Sequence, residues 1–503
     1  MAHRAHPQLM QINPRVLLGE KSQALGRAAT LDDLPEQLLE DLAAQRFEWL
    51  WLLGVWQTGP ASRLVSRNQP DWRAGFRRDL PDLCEVDITG SPFAVQSYSV
   101  RAELGGEAAL ERTRRRLARH GLRLMLDFVP NHVALDHPWV SEHPEYFIEA
   151  TAQDMADAPQ NFVSLETGKG PRILAHGRDP YFPGWPDTLQ LNYRHPGCRA
   201  AMVELLRTVA RLCDGVRCDM AMLLLPGVFQ RTWGAAALPK DGSEPLDTHF
   251  WPEAIARVRR DRSDFVFMAE VYWDLEYTLQ QQGFDFTYDK RLYDRLREGG
   301  ARSVREHLQA DPGFQRRSAR FLENHDEPRA AATFPWPEHQ AAAIISYFIP
   351  GLRFFHEGQF EGRRAHVSMH LGRRPAEPPD EGVRSFYRRL LQCLGRKEAH
   401  DGEWRLWDCR PAWEGNDSWD QFLVFSWEGA SGKRLLVVVN YGARQAQCTV
   451  AIRLPGISGK RISLEDLMGD TRYERDGDGL AGNGLYLDSA PWAYSVFEVE
   501  GLP

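Results

Sequence analysis

Apolar runs alternate with helix-spaced apolar positions through most of the chain. LDDLPEQLLEDLAAQ (31–45), with leucines at helical spacing, leads into FEWLWLLGVW (47–56). AALERTRRRLARH (108–120) leads into GLRLMLDFVP (121–130), and a segment with Met202, Leu205, Leu206, Val209 and Leu212 on one helical face leads into GVRCD (215–219). Three more runs, DFVFMAE (264–270), ARFLENHD (319–326) and GLRFFHEG (351–358), read as strands. Strand and helix in repeated alternation predict an α/β fold with a parallel sheet. After about Gly395 the texture changes. DQFLVFSW, RLLVVVNY, QCTVAIRL, GLYLD and AYSVFEVE are short strand-like runs separated by Gly, Asn, Asp and Pro turns, which predicts a small antiparallel β-sandwich. The DGDG at 476–479 reads as a hairpin turn, because the later acidic ligands of a calcium loop are missing.

Polar residues decide between a barrel and an open sheet. Four of the apolar runs end in acid, amide or imidazole: LMLDFVPNH, GVRCD, FVFMAE and FLENHD. In a (β/α)8 barrel the reactive groups come from the carboxyl ends of several strands and converge on one face. A doubly wound open sheet more often carries a glycine-rich phosphate turn, and neither GxGxxG nor GxxxxGK[ST] occurs. The expectation is a (β/α)8 barrel followed by the sandwich.

Composition narrows the class. The 503 residues are 43% hydrophobic and 26% charged, ordinary for a soluble globular protein. A formal charge of −8 with scattered basic residues offers no surface for a phosphate backbone, so no nucleic acid partner is expected. The opening MAHRAHPQLMQINPR lacks the apolar core of a secretory signal, and no run is long enough to span a bilayer. A cytoplasmic protein without a membrane partner is expected. Seven widely spaced cysteines without a CxxC pair read as reduced thiols rather than a disulfide or metal framework.

One pair stands out inside an apolar stretch. If 215–219 is a strand, alternation turns Arg217 and Asp219 to the same side. On its own this reads first as a buried structural ion pair, and only second as a carboxylate held ready for chemistry. The other strand ends decide how to take it. DFVPNH (127–132), GVRCD (215–219), AE (269–270) and ENHD (323–326) come in the order and approximate spacing of the α-amylase family, glycoside hydrolase family thirteen, and QLNY (190–193) is similar to the motif before that family's nucleophile strand.

The resemblance implies a (β/α)8 barrel built from residues 1–131 and 189–395, an inserted domain at 132–188 after the third strand, and a sandwich at 396–503, and it implies roles. Asp219 would be the nucleophile, Glu270 the general acid and base, and Asp326 the carboxylate that fixes and distorts the sugar. Arg217 would orient Asp219. His132 and His325 would bind sugar hydroxyls, Tyr98 would stack on the ring, Arg329 in the loop after Asp326 would join Arg217 among the substrate-binding residues, and Asp127 with Asn131 would shape their strand end. The chemistry explains the residue types: a retaining glycosidase needs one carboxylate ionised to attack the anomeric carbon and one carboxyl protonated to assist the leaving oxygen. Tyr272 and Trp273 read equally as packing or as a sugar platform. The histidines of HVALDHPWVSEH lack HExxH spacing, so no metal is implied, and no cofactor either.

Departures from the family pattern also carry expectations. Many amylases place a Lys and His pair after the nucleophile to hold the next sugar; here Met222 and Leu223 stand there, which reads either as a less polar, weakly binding acceptor site or a short substrate, or as two residues that merely pack against the barrel wall. FFHEGQFEG replaces the usual YYGQE, and DHPWVSEHPEYF (136–147) is similar to a piece of the related maltosyltransferases. The expected activity is retaining cleavage of α-glucosidic bonds in short α-glucans or α-glucosides. The alternatives are a transglycosylase of the same family and a catalytically silent relative that only binds.

Overall fold

The computed structural model describes residues 5–452 and 456–502. Eight parallel strands close into a barrel: β1 (Gln8–Ile12), β2 (Trp49–Leu52), β3 (Arg123–Phe128), β4 (Gly215–Cys218), β5 (Val266–Ala269), β6 (Phe286–Tyr288), β7 (Ser318–Arg320) and β8 (Leu352–His356). They neighbour one another in chain order, and β1 closes the ring on β8 with Gln8 beside Arg353. Every residue of β1, β2, β4, β5, β7 and β8 is buried. This is why β2, β4, β5 and β8 read as largely continuous apolar runs instead of alternating ones.

The helices follow from their apolar faces. The helix Pro196–Leu212 before β4 buries Met202, Leu206 and Val209 at spacings of three and four, and His195 caps it by accepting from the N–H groups of Gly197 and Cys198. β4 then begins at Gly215, where a Cβ would stand 2.8 Å from the Val266 carbonyl oxygen and 3.1 Å from the Trp49 ring. Only glycine lets the three strands approach this closely. Two barrel strands escaped the sequence pattern. β1 carries Gln8 and Gln11 and follows no helix, and β6 is three residues long.

Between β3 and β4 the chain leaves the barrel. His132–Ala134 pairs antiparallel with Thr188–Gln190 at the base of this excursion, and Phe162–Thr167 pairs with Gly170–Ala175 farther out. After β8 and the helix Glu381–Leu394, the chain builds a six-stranded antiparallel sheet and a three-stranded one. Phe422, Val424, Leu436, Val438 and Phe497 on the larger sheet pack with Ala446, Cys448, Val450 and Leu485 on the smaller, which makes a sandwich. The alternate residues Leu423, Phe425, Trp427, Leu435, Val437 and Val439 join the barrel's own core. The larger sheet is therefore covered on both faces. DGDG does not close a hairpin: Asp476 ends a strand and caps the short helix Gly477–Gly482, its Oδ2 accepting from Gly479 N–H at 2.6 Å. Among the described residues no helix is long and apolar enough to cross a membrane, and all seven cysteines are unpaired, six of them buried.

Candidate active site

The parallel ladder delivers two acids to the same rim. Asp219 N–H donates to the Phe128 carbonyl at 2.9 Å, and Glu270 N–H donates to the Cys218 carbonyl at 3.0 Å, so each acid is the first residue beyond its strand and is still held in register. Asp326 arrives differently. β7 stops at Arg320, short of the run read from the sequence, and an irregular segment continues to Asp326, turned by Asn324 Oδ1, which accepts from the N–H groups of Asp326 and Glu327 at 2.8 Å each.

Beneath the acids lies Arg217, fully buried inside the barrel. Its Nη1 is 2.6 Å from Asp219 Oδ1 and its Nη2 is 2.7 Å from Glu270 Oε2. Nε donates to Tyr288 Oη at 3.3 Å, and the rings of Trp51, Phe93 and Tyr288 surround the guanidinium at 5.4, 5.1 and 5.7 Å. Burial opposes the charge, but Glu270, Tyr288, Asp219 and Asp127 outweigh it, and Arg217 stays cationic. Asp127, also buried, gives Oδ2 to Gly54 N–H at 2.7 Å and keeps Oδ1 at 4.0 Å from Arg217 Nη1. Burial pushes its carboxyl up to about 6, with Arg217 opposing.

Glu270 is held at both oxygens. Oε2 accepts from Met220 N–H at 2.7 Å and Oε1 from the Tyr272 hydroxyl at 2.9 Å. Met220 reaches that position only in a left-handed conformation, φ 41° and ψ 44°. These donors favour the carboxylate, yet burial pushes Glu270 up to about 8, with Arg217 opposing and the charges of Asp219 and Asp326 adding to the rise. When Glu270 holds a proton, the Tyr272 hydroxyl can rotate to accept it. Asp326 is raised as well, by its surroundings against the pull of Arg217 and His366, although 30% of its side-chain surface stays open to the cleft.

His325 is neutral, because burial and the charge of Arg217 both lower it. Gln11 Nε2 lies 2.8 Å from its Nδ1; a donating amide there places the ring proton on Nε2, 3.1 Å from Asp326 Oδ2. His132 lines the cleft, neutral through burial, with its ring 5.1 Å from that of Trp185. Asn131 stays behind it, exchanging two amide hydrogen bonds of 3.1 Å with Gln190.

These groups surround a cleft of about 310 Å³, at the small end of ligand pockets, ~300–1,000 Å³. Asp219, Glu270, Asp326 and His132 face it, together with Phe93, Trp185, Asp187, Met220 and Tyr272. Three expectations need correction. Tyr98 is not a cleft residue: its hydroxyl bonds both the N–H and the carbonyl of Val129, and its ring packs on Trp56 and Phe128. The aromatic wall is Phe93, five residues earlier. Arg329 turns away into an ion pair, Nη1 to Glu323 Oε1 at 2.6 Å. Met222 and Leu223 sit in the short helical turn Ala221–Leu224, 0% and 2% exposed, so they pack against the barrel and do not shape an acceptor site.

The sequence reading also passed over Asp187. It lines the cleft at 3% exposure, its Oδ2 has no partner, and burial pushes its carboxyl up to about 7. Its only signal was an acid beside Trp185 in the Gly- and Pro-rich stretch DPYFPGWPD.

The α-amylase catalytic-domain model matches residues 93–367, more than half of the chain, and that span contains Asp219, Glu270 and Asp326. The chain belongs to the α-amylase family. Among its relatives, the α-amylase MalA of Haloarcula japonica is 25% identical over 359 residues, which cover 69% of this chain and 47% of that protein. An α-glucosidase of Culex pipiens is 23% identical over 300 residues, covering 52% of this chain and 51% of that one. The chain thus spans about half the length of the curated relatives it matches. Among solved structures, the noncanonic maltogenic α-amylase AmyB from Thermotoga neapolitana superposes with a TM-score of 0.66 at 18% identity, covering 99% of both chains. Trehalulose synthase MutB gives 0.63 at 16% identity, again with 99% of each chain covered. At such identities the likeness is one of fold, and the fold is that of this α-amylase-family barrel with its C-terminal sandwich.

Proposed function

We propose that this α-amylase-family chain cleaves α-glucosidic bonds of short α-glucans or α-glucosides with retention, through a glycosyl ester on Asp219. The observation that carries the reading is one guanidinium set between two carboxyl groups that divide the work. Arg217 keeps Asp219 supplied with a fixed positive neighbour, while burial keeps Glu270 protonated at neutral pH. In the first step Asp219 attacks the anomeric carbon as the glycosidic C–O bond breaks and the Glu270 proton passes to the leaving oxygen. In the second, Glu270 takes a proton from water, which attacks the same carbon and releases Asp219.

Asp326 and the Nε2–H of His325 suit the sugar hydroxyls, and the Phe93 ring suits the sugar face. Arg217, out of reach of a substrate, is a positioning residue. The modest cleft supports a short substrate better than a long one, and the Culex pipiens relative, an α-glucosidase, points the same way. An apolar wall of Phe93, Trp185 and Met220 offers few groups to hold a water, which favours transfer to a second sugar as the competing outcome.

Fresh products from a panel of maltooligosaccharides, sucrose, trehalose and isomaltose, followed by proton magnetic resonance and mass, test the reading. The first-formed anomer is expected to be α; a β anomer refutes double displacement. Products larger than the substrate identify transfer. Asp219→Asn is expected to lose at least about 10³-fold in kcat while its circular dichroism stays unchanged; activity within tenfold of the parent would remove Asp219 as nucleophile.

A further inference from the structure

Arg15 and Arg101 are each 7% exposed. Among the described residues they are the two arginines that leave two buried guanidinium nitrogens without a hydrogen-bond partner: Nε and Nη2 of Arg15, Nε and Nη1 of Arg101. The charges of Arg101 and Arg63 both bear on Arg15, and that of Arg63 bears on Arg101 as well; the Arg63 Nε is likewise buried and unpartnered. The placement is built by the fold. Arg15 Nη1 donates to the Gly90 carbonyl at 2.7 Å, and Gly90 presses against Arg63, whose Cα a Cβ there would meet at 3.1 Å. Arg101 N–H donates to the Val55 carbonyl at 3.0 Å, which ties the main chain of the third arginine to the loop after β2.

Negative charge around this trio is scarce. Glu103 Oε2 stands 3.7 Å from Arg101 Nε, beyond hydrogen-bond distance, and that side chain is 61% exposed. Asp127 contributes from farther away but already faces Arg217. Burying cations without partners costs several kcal/mol each, and a charge removed from water is retained only when something pairs with it. Arg63 is half-buried, so the cluster opens to solvent on its side.

We propose that Arg15, Arg63 and Arg101 form a site for one small inorganic anion, separate from the cleft, with a tetrahedral oxyanion such as phosphate as the ligand that guanidinium forks match best. The anion supplies counter-charge and ties together the helix Pro14–Leu25, which carries Arg15, the helix Pro60–Asn68, which carries Arg63, and the segment 89–101. That segment carries Ser91 and Phe93 into the cleft, so the anion braces one cleft wall from behind.

The test is thermal unfolding of the full chain titrated with sodium phosphate at constant ionic strength, with a bulky organic anion as background. The parent is expected to show a saturating rise in midpoint, and hydrogen exchange is expected to slow in 89–104. Arg101→Met is expected to lose the rise and, freed of an unpaired charge, to match or exceed the parent's midpoint without phosphate. Arg63→Gln, at a half-exposed position, keeps the test decisive if Arg101→Met does not fold; its phosphate affinity is expected to fall about tenfold, the worth of one charge-assisted hydrogen bond. The proposal is overturned by a parent that shows no saturating rise, by an undiminished rise in the variants, or by exchange that slows elsewhere and not in 89–104.

Discussion

Glu270 shows at the scale of one residue how surroundings outweigh contacts. Three donors point at its carboxyl, yet burial and two neighbouring acids keep the proton on at neutral pH. Because its folded-state pKa is raised, the acid form is present below about 8 and is lost as pH rises through it. Activity on natural glucosides should therefore fall along an alkaline limb near that pH. In Glu270→Gln, assayed on an activated aryl α-glucoside that needs little proton assistance, the limb should vanish; a limb that persists belongs to another group. The same residue scale holds what the motif hid. Glu323, the first acid of ENHD, faces backward to Arg329 and the Ala330 N–H. Two polar residues six apart in an irregular segment found each other, and no periodicity announces that.

At the scale of elements, the joint between β4 and the turn Ala221–Leu224 does the aiming. Met220 is left-handed there, a conformation that costs a non-glycine residue about 1–2 kcal/mol. That conformation lets Met220 N–H reach Glu270 while Ala221 N–H donates to the Glu270 carbonyl at 3.0 Å. Met220→Gly relieves the strain and Met220→Ala keeps it, both without the thioether side chain. Glycine is expected to be the more stable of the two by about 1 kcal/mol in denaturant midpoints; equal stability would mean the turn carries no strain. Elements also mark where sequence patterns stop informing. Five barrel strands were legible because burial on both faces writes a continuous apolar run, and β7 was found only through the apolar residues that follow it. β6 was not, since three residues are too few to show a period, and β1 was not, since Gln8 and Gln11 interrupt its run with buried amides.

Across the whole molecule, barrel and sandwich share one core. Trp427 is fully buried, donates Nε1–H to the Phe348 carbonyl at 2.6 Å and packs edge-on against His6 at 4.9 Å. Tyr441 donates its hydroxyl to the Leu296 carbonyl at 2.7 Å. Such an interface couples the two parts, so calorimetry should show them unfolding together. Trp427→Ala should lower that joint transition by about 3–5 kcal/mol of stability. Two transitions, with only the sandwich destabilised, would show that the shared core does not couple them.

The sequence by itself determined the class of the barrel, the excursion after the third strand, the sandwich, and the acids at the strand ends. All but the excursion, which the family resemblance implied, are written in local terms: a continuous apolar run for a barrel strand, a helical stripe before it, a polar residue where the apolar run stops. The tertiary structure decided which side chains share the cleft. Alternation tells which face of a strand a residue takes, but not what stands opposite. Tyr98 and Phe93 are both aromatic and five residues apart, and only the closing of the barrel put Phe93 against Arg217 and left Tyr98 bonded to Val129. Met222 and Leu223 looked like an altered acceptor site, because the motif places them beside the nucleophile in sequence; the turn that follows folds them into the core. Asp187 and the arginine cluster were invisible for the same physical reason. Burial of a charge, and the partner it has or lacks, are properties of contacts between distant segments, and those exist only once the chain has closed on itself.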